Sequence, residues 1–460
     1  MFQKPTGIAG VTVVLAFMCL AMPLGDQAPA QPSIRPNILI ILTDDQRASG
    51  TMSVMPETRR VFERNGTEFI QAFATTPLCC PSRASIFTGR YAHNHGVKNN
   101  EAAGLLDQES TVQRYLKDVG YRTAIFGKFF NSWPIRTDPP YFDRWAVFPS
   151  SGLVSSGTDW NVNGGVRAVE TYSTDYIADQ AVRFLGGSED RDVQPWLMYL
   201  STAAPHVPAH PERDYADAPV GYWRGNPAVF ERDRSDKPPF VRERSVTRDQ
   251  VRMVRRNQLR SLMSVDDLVD RVFGALERLN DKENTLAFFM SDNGFLWGEH
   301  GLYAQGSQKR SPYKPSIKIP LFMRWPGHVE AGAERRRLAA NIDMAPTILD
   351  ATGVTPETGY PVDGTSLLGE KFRKRLLLEH YGDLGRIPEW AATLTSTFEY
   401  VEYYGEDSLT PTFREYYDLT SDPWQLENLL ADGDPQNDPD VAPIAKQLDA
   451  DRRCIGIACP

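Results

Sequence analysis

Two adjacent cysteines stand just ahead of a proline in residues 78–96, LCCPSRASIFTGRYAHNHG. Pro81 suits the first turn of a helix, Ser82 to Phe87 can continue it, and Gly89 can end it. Cys79 then faces the positive end of the helix dipole, a place that favours an anion. Neighbouring cysteines rarely bridge each other, because their Cβ vectors diverge, so the pair is structural, free or chemically special. A second group of candidate residues closes apolar runs. NILIILTDDQ ends on Asp44 and Asp45, TLAFFMSDNG ends on Asp292 and Asn293, and PWLMYLSTAAPHVP ends near His206. Singly, each reads as a turn or cap residue. Together, three carboxylates and an amide are hard oxygen donors suited to Ca²⁺ or Mg²⁺, and no His or Cys cluster has zinc spacing.

Such residues need a scaffold that brings strand ends together. Residues 38–42 and 286–290 are continuous apolar runs of the buried-strand type, and Val265, Leu268, Val269, Val272, Leu276 and Leu279 mark the clearest of the helical patterns that lie between such strands. Strands alternating with helices predict an α/β sheet covered on both faces, with ligands at the carboxyl ends of the strands. The 460 residues, 41% hydrophobic and 24% charged, suit one large globular domain and a smaller one. A formal net charge of -9 argues against a nucleic-acid binder, so an anionic substrate must meet a local cluster of cations. At the N-terminus, Lys4, an apolar run over 8–24 and Ala28-Pro29-Ala30 describe a secretory signal peptide, with a retained anchor as the alternative. The expectation is cleavage after Ala30 and an exported, soluble chain without stable membrane insertion. Four cysteines then remain, and Cys454 and Cys459 in CIGIACP are expected to close a small disulfide loop.

CCPSRASIFTGR resembles the sulfatase signature, in which a cysteine, any residue, Pro, Ser and Arg are followed by Thr-Gly-Arg. Counted from Cys79, Cys80 is the free position, followed by Pro81, Ser82 and Arg83 and later by Thr88, Gly89 and Arg90. Counted from Cys80, Ser82 falls where Pro belongs. The resemblance therefore implies that Cys79 is converted by a maturation enzyme to Cα-formylglycine, and that Cys80 is a small buried apolar filler. GYRTAIFGKFFN with Lys128, APHVP with His206, SDNG, QKRSPYKPSIKIPLFMRWPG with Lys309, NIDMAPTILDATGV and DGTSLL also resemble sulfatase segments. CCPSRAS with HNH after it, LTDDQ and GKFFN resemble the N-acetylglucosamine-6-sulfatase and extracellular glucosamine-sulfatase branch. The implied fold is that of the alkaline phosphatase superfamily: α/β, a large mixed sheet between helices, then a smaller C-terminal antiparallel sheet. RLLLEHYG, AATLTSTFEYVEYYG and REYYDLTSDPWQLENL read as its strands. The implied division is a signal peptide over 1–30, a catalytic domain over 31–372 and a C-terminal subdomain over 373–460.

The activity this implies is hydrolysis of a sulfate monoester, on a sulfated sugar such as 6-O-sulfated N-acetylglucosamine. Hydrated formylglycine is a geminal diol; one hydroxyl attacks sulfur as the ester oxygen leaves, and loss of a proton from the other expels sulfate. By resemblance, Asp44, Asp45, Asp292 and Asn293 hold Ca²⁺ or Mg²⁺, with the modified Cys79 as a further ligand. Arg83 holds the formylglycine, Lys128 and Lys309 grip sulfate, and Lys309 or His206 protonates the leaving alkoxide. Two positions depart from the family pattern. Phe130 stands where many sulfatases have a His that helps break down the hemiacetal, and Lys314 stands at a usually acidic position on the rim. His93 and His95 read as substrate contacts or as helix-end residues, His300 follows the metal turn closely, and residues 210–244 read as a surface excursion. NGT at Asn65 has the form of a glycosylation site. The competing readings are a generic arylsulfatase, a phosphodiesterase or phosphonate monoester hydrolase of the same superfamily, and an inactive glycan-binding relative. The complete ligand set, both lysines and the Cys-x-Pro-Ser-Arg motif argue against the last.

Overall fold

The computed structural model describes residues 35–460 except 149–156, 188–193, 304–307, 358, 384–386 and 406–408, together with 1–4, 6, 7 and 10. All but the first few residues of the expected signal peptide lie outside the described set. Apolar runs pair edge to edge into ten strands of one sheet: β1 (Asn37–Thr43), β2 (Thr67–Phe73), β3 (Arg122–Lys128), β4 (Arg144–Phe148), β5 (Thr158–Val162), β6 (Gly165–Val169), β7 (Trp196–Ser201), β8 (Thr285–Ser291), β9 (Leu321–Arg324) and β10 (Ala333–Ala340). Their order is β10-β2-β9-β8-β1-β7-β3-β4-β5-β6. The five strands β8, β1, β7, β3 and β4 run parallel, while β9 and the β5–β6 hairpin run antiparallel to their neighbours. The sheet is therefore mixed, as the resemblance implied.

Alternate residues of the central strands feed two different cores, which is why these strands read as unbroken apolar runs. Ile38, Ile40 and Leu42 pack with the helices Cys79–Thr88, Val112–Asp118 and Met344–Thr352 on one face. Leu39 and Ile41 pack with Ser173–Gly186 and Arg248–Arg278 on the other. The last of these helices begins well before the apolar periodicity at Val265. A capping box between Thr247 and Gln250 starts it, and its first turns are rich in arginine.

Register fixes the site. Thr43 pairs with Ser291, Leu42 with Ser201, and Gly127 with Ser201, so β1, β8, β7 and β3 end at one edge. Asp44, Asp292, Thr202 and Lys128 all emerge there. A second sheet follows: β11 (Leu376–Asp383), β12 (Ile387–Leu394), β13 (Phe398–Tyr404) and β14 (Pro411–Asp418), an antiparallel meander. The segment AATLTSTFEYVEYYG divides into the end of β12 and all of β13 around a turn in which Thr395 accepts from the amides of Thr397 and Phe398. Cys454 and Cys459 form a disulfide beyond the helix Ala442–Asp451. Residues 210–244 are not a separate domain, since Lys237 and Val241 within them are buried and the Lys237 ammonium donates to the Leu426 carbonyl at 2.7 Å. Among the described residues no helix is long and apolar enough to cross a membrane.

Candidate active site

The helix Cys79–Thr88 follows an extended Leu78 that offers no side-chain cap, and all ten of its residues are buried. Its first-turn donors therefore need partners from elsewhere. Asn100 Oδ1 supplies one by accepting from the Cys80 amide at 3.0 Å. Gly89 ends the helix at φ 68°, and a side chain there would meet the Pro346 ring at 2.8 Å, so glycine is required. Cys79 is thus the first helical residue, held at the carboxyl edge of the sheet.

Around Cys79 the sequence-predicted residues converge. Its thiol donates to Asp44 Oδ1 at 3.5 Å, and the Lys309 ammonium donates to its sulfur at 3.1 Å and to Asp45 Oδ1 at 2.7 Å. Lys128 donates to Asp44 Oδ2. Arg83 donates from Nε to Asp292 Oδ2 at 2.9 Å, with its terminal nitrogen 3.5 Å from Asp44 Oδ2. Asp292 Oδ1 accepts from the amides of Asp45 at 3.1 Å and Asn293 at 2.8 Å, and Asn293 Nδ2 donates to Asp45 Oδ1 at 2.7 Å. Asp45 sits at φ 66°, a left-handed turn costing on the order of 1 kcal/mol. His206 Nε2 lies 3.6 Å from Asp45 Oδ2, and with its side chain 34% exposed it marks the open side of an otherwise buried cluster.

Three carboxylates face three cations here, so the cluster alone is close to neutral. Burial raises the Asp44 carboxyl, but Lys128, His206, Arg83 and Lys309 outweigh it and hold the group well below the usual range. Burial and the Asp44 charge push Asp292 up to about 6, against Arg83 and Lys128. Burial, with Asp44 adding to it, pushes the Cys79 thiol up to about 11. An ordinary thiol in this position stays protonated at neutral pH and is a poor nucleophile.

The donor set also fits a hard divalent cation. Asp45 Oδ2 and Asn293 Oδ1 are buried acceptors with no hydrogen-bond partner among the described residues, a costly state for an isolated polar atom. Candidate ligand atoms of Asp44, Asp45, Cys79 and His206 lie within 4.8 Å of one another. A Ca²⁺ or Mg²⁺ ion would satisfy the orphaned oxygens and give the site the positive charge an anionic substrate needs.

Supporting residues that the sequence did not single out complete the cluster. Ser201 Oγ accepts from Arg83 at 2.6 Å; Asn341 donates to Ser82 Oγ at 2.9 Å, and Ser82 in turn donates to the Asp292 carbonyl. Only strand register could have revealed Ser201, because nothing nearby in sequence marks it. Other expectations change. Cys80 is buried, yet its sulfur accepts from the Asn131 amide at 3.0 Å, so it is a hydrogen-bonded anchor rather than an apolar filler. His95 accepts from the Val97 amide at 3.1 Å and meets Ser85 Oγ at 3.1 Å; His93 bridges Glu379 Oε2 and the Cys454 carbonyl, each at 2.9 Å. Both are helix-end residues with their rings engaged, and neither is a free rim contact. Lys314 reaches the Pro423 carbonyl at 3.4 Å. Phe130 is wholly buried, packed on Phe87, Phe129 and Trp133. His300 meets Glu231 at 2.8 Å and stacks on Tyr313, tying the excursion to the segment that follows Asn293.

Comparison with known proteins agrees with this geometry. The sulfatase family profile matches residues 36–354, and the profile described as N-sulphoglucosamine sulphohydrolase, C-terminal, matches 298–453. A putative extracellular sulfatase Sulf-1 homolog of Caenorhabditis elegans is 33% identical over 72% of this chain, which spans only 48% of that protein, and 31% of the Drosophila melanogaster counterpart. The N-acetylglucosamine-6-sulfatase of Homo sapiens is 28% identical over 94% of this chain and 88% of its own length. Two solved structures share the fold. One, bound to its substrate D-glucosamine-2-N,6-O-disulfate, has a TM-score of 0.77 at 23% identity, covering 90% of this chain and 96% of that one. The other, a phosphonate monoester hydrolase of Agrobacterium radiobacter, has a TM-score of 0.66 at 22% identity, covering 90% and 95%. With its signature cysteine at a helix start, its carboxylates at two strand ends and a family match over most of its length, the chain belongs to the sulfatase family.

Proposed function

We propose that this protein hydrolyses sulfate monoesters on a sulfated sugar, such as 6-O-sulfated N-acetylglucosamine, after conversion of Cys79 to formylglycine. The observation that carries this reading is the placing of Cys79 at the start of a buried helix, in contact with Asp44 and Lys309 and beside the orphaned oxygens of Asp45 and Asn293. Formylglycine would supply a geminal-diol nucleophile, and a cation held by Asp44, Asp45, residue 79, Asp292 and Asn293 would supply Lewis acidity. The chain's own side chains do the rest. Arg83 locks Asp292 and Asp44 in orientation, so the ligand turns cannot drift. Lys128 and Lys309 are buried cations placed to neutralise charge that grows on the sulfate oxygens. Lys309, whose ammonium reaches the Cys79 sulfur, and His206, on the open side of the cluster, are the candidate proton donors to the departing sugar oxygen.

The substrate class is supported by the named activities of relatives. The runner-up is phosphonate or phosphate ester hydrolysis, favoured by the shared fold of the phosphonate monoester hydrolase. We further propose that residues 1–30 are a leader removed on export, that 31–372 form the catalytic unit, and that 373–460 form the subdomain. Rates on N-acetylglucosamine-6-sulfate, an aryl sulfate and an aryl phosphonate ester decide between the readings. The sugar sulfate is expected to win, and a faster phosphonate ester overturns the assignment. Chelation is expected to abolish turnover, Ca²⁺ to restore it, and Asp292→Ala to prevent the recovery; full turnover by metal-free protein contradicts the cation site.

A further inference from the structure

Residues 224–260 carry eleven Arg and Lys against five Asp and Glu, an excess of six positive charges in a chain of net charge -9. Arg248, Arg252, Arg255 and Arg256 recur at the spacing of one helical stripe along the first turns of Arg248–Arg278. Three of them lie over aromatic rings. Arg248 sits 4.8 Å from the Phe230 ring, Arg252 5.7 Å from Tyr222, and Arg255 5.9 Å from Trp223 and 5.5 Å from Trp297. A guanidinium laid on a ring is oriented by it, and its N–H edge remains available to an oxyanion. Arg248, Arg255 and Arg256 have no carboxylate partner among the described residues, and Arg252 has only Asp249, at 3.6 Å. Burial, and then the neighbouring Arg47 charge, push the Arg255 guanidinium down.

This ladder leads into the active site. Gln258 donates to the Pro205 carbonyl, just before His206, at 3.1 Å and accepts from the Trp297 indole at 2.6 Å. Trp223 meets Trp297 edge-on at 5.4 Å, and Val207 packs against the same apolar cluster. From Gln258 to Arg248 the helix rises about 15 Å, well beyond a single sugar ring. Not every basic run here is alike. On the edge strand β10 and the segment beside it, Arg335, Arg336, Arg373 and Arg375 are paired with Glu330, Glu334, Asp343 and Asp451.

We infer that the arginine–aromatic ladder holds the flanking sulfates of an extended sulfated glycan whose terminal or internal 6-O-sulfate reaches Cys79. The ligand class rests on the sulfated-sugar reading above and deepens it from a single sugar to a chain. Calorimetry with a heparin hexasaccharide, on protein with unmodified Cys79, tests binding apart from turnover. The variant Arg248→Ala/Arg252→Ala/Arg256→Ala alters exposed helix positions outside the catalytic cluster; Arg335→Ala/Arg336→Ala/Lys374→Ala removes equal charge elsewhere. The ladder variant is expected to bind the hexasaccharide about ten-fold or more weakly, and the control within about two-fold of the parent, with the difference shrinking as salt rises. After maturation, the ladder variant keeps the parent's kcat/KM on N-acetylglucosamine-6-sulfate. Equal weakening by both variants, or equal competition by an oligonucleotide of matching charge, overturns the ladder as a glycan site. Ladder-dependent binding by a matured enzyme that hydrolyses no sulfate ester supports the ladder and overturns the activity reading instead.

Discussion

Cys79 and Cys80 are neighbours with different partners, and the difference is chemical. The Cys79 sulfur meets Asp44 and Lys309 among the site residues; the Cys80 sulfur accepts an amide from Asn131 across the core. Cys79→Ala is expected to lower turnover by roughly 10⁴-fold or more with little change in unfolding. Cys80→Ala is expected to cost about 1–3 kcal/mol of stability, from the unsatisfied amide, while the matured protein keeps its chemistry. Paired kcat and urea-midpoint measurements on both variants check this, and a reversed pattern would move the nucleophile to Cys80. The register of Cys79 was legible because its motif is contiguous in the chain. The Asn131 contact was not, since it spans 51 positions. His93 was ambiguous for the same reason: Glu379 and Cys454, which engage it, lie hundreds of residues away.

At the scale of elements, the site depends on how closely β3 approaches β7. Gly127 has φ 111°, and a Cβ there would lie 1.9 Å from the Ser201 carbonyl oxygen. Gly127→Ala must push apart the strands that present Lys128 and Ser201, Arg83's partner. The expected cost is roughly 2–4 kcal/mol of stability and a large loss of kcat. Thermal unfolding and steady-state kinetics check it; a variant with wild-type kcat would show that the strand approach does not position the site. The strand ends were readable because β1 and β8 are buried on both faces and stop abruptly at acidic turns. Which strands adjoin was not readable, because register is a property of pairs, and the start of the long helix was missed because its first turns carry arginine where periodicity looks for apolar residues.

Across the whole molecule, buried histidines couple stability to pH. Burial pushes both His95 and His380 down to about 3 from an ordinary value near 6.5. In that window the unfolded chain binds protons that the folded chain refuses. Stability is therefore full above about pH 6.5 and falls as the pH drops toward 3, by roughly 1.4 kcal/mol per pH unit for each histidine. Urea unfolding at pH 7 and pH 5 measures the slope, and His95→Gln is expected to flatten it by about one proton's worth. An unchanged slope would mean that His95 is charged in the folded state. The second sheet is also tied to the rest of the chain through groups far apart in sequence, such as Tyr313 with Glu415 at 2.9 Å. Such contacts are invisible until the fold brings them together, whereas local patterns gave an α/β sheet covered on both faces and the family resemblance gave its division into a large mixed sheet and a small antiparallel one.

As proposed above, catalysis resides in residue 79 after its conversion. Protein matured to different extents should be assayed for sulfate release from N-acetylglucosamine-6-sulfate by ion chromatography, with the fraction of residue 79 converted to formylglycine read by mass spectrometry of the same samples. The expected rate is proportional to that fraction, extrapolating to zero where Cys79 remains a thiol. Equal sulfate release from protein with both cysteines unmodified, or none from fully converted protein with its cation, would contradict it.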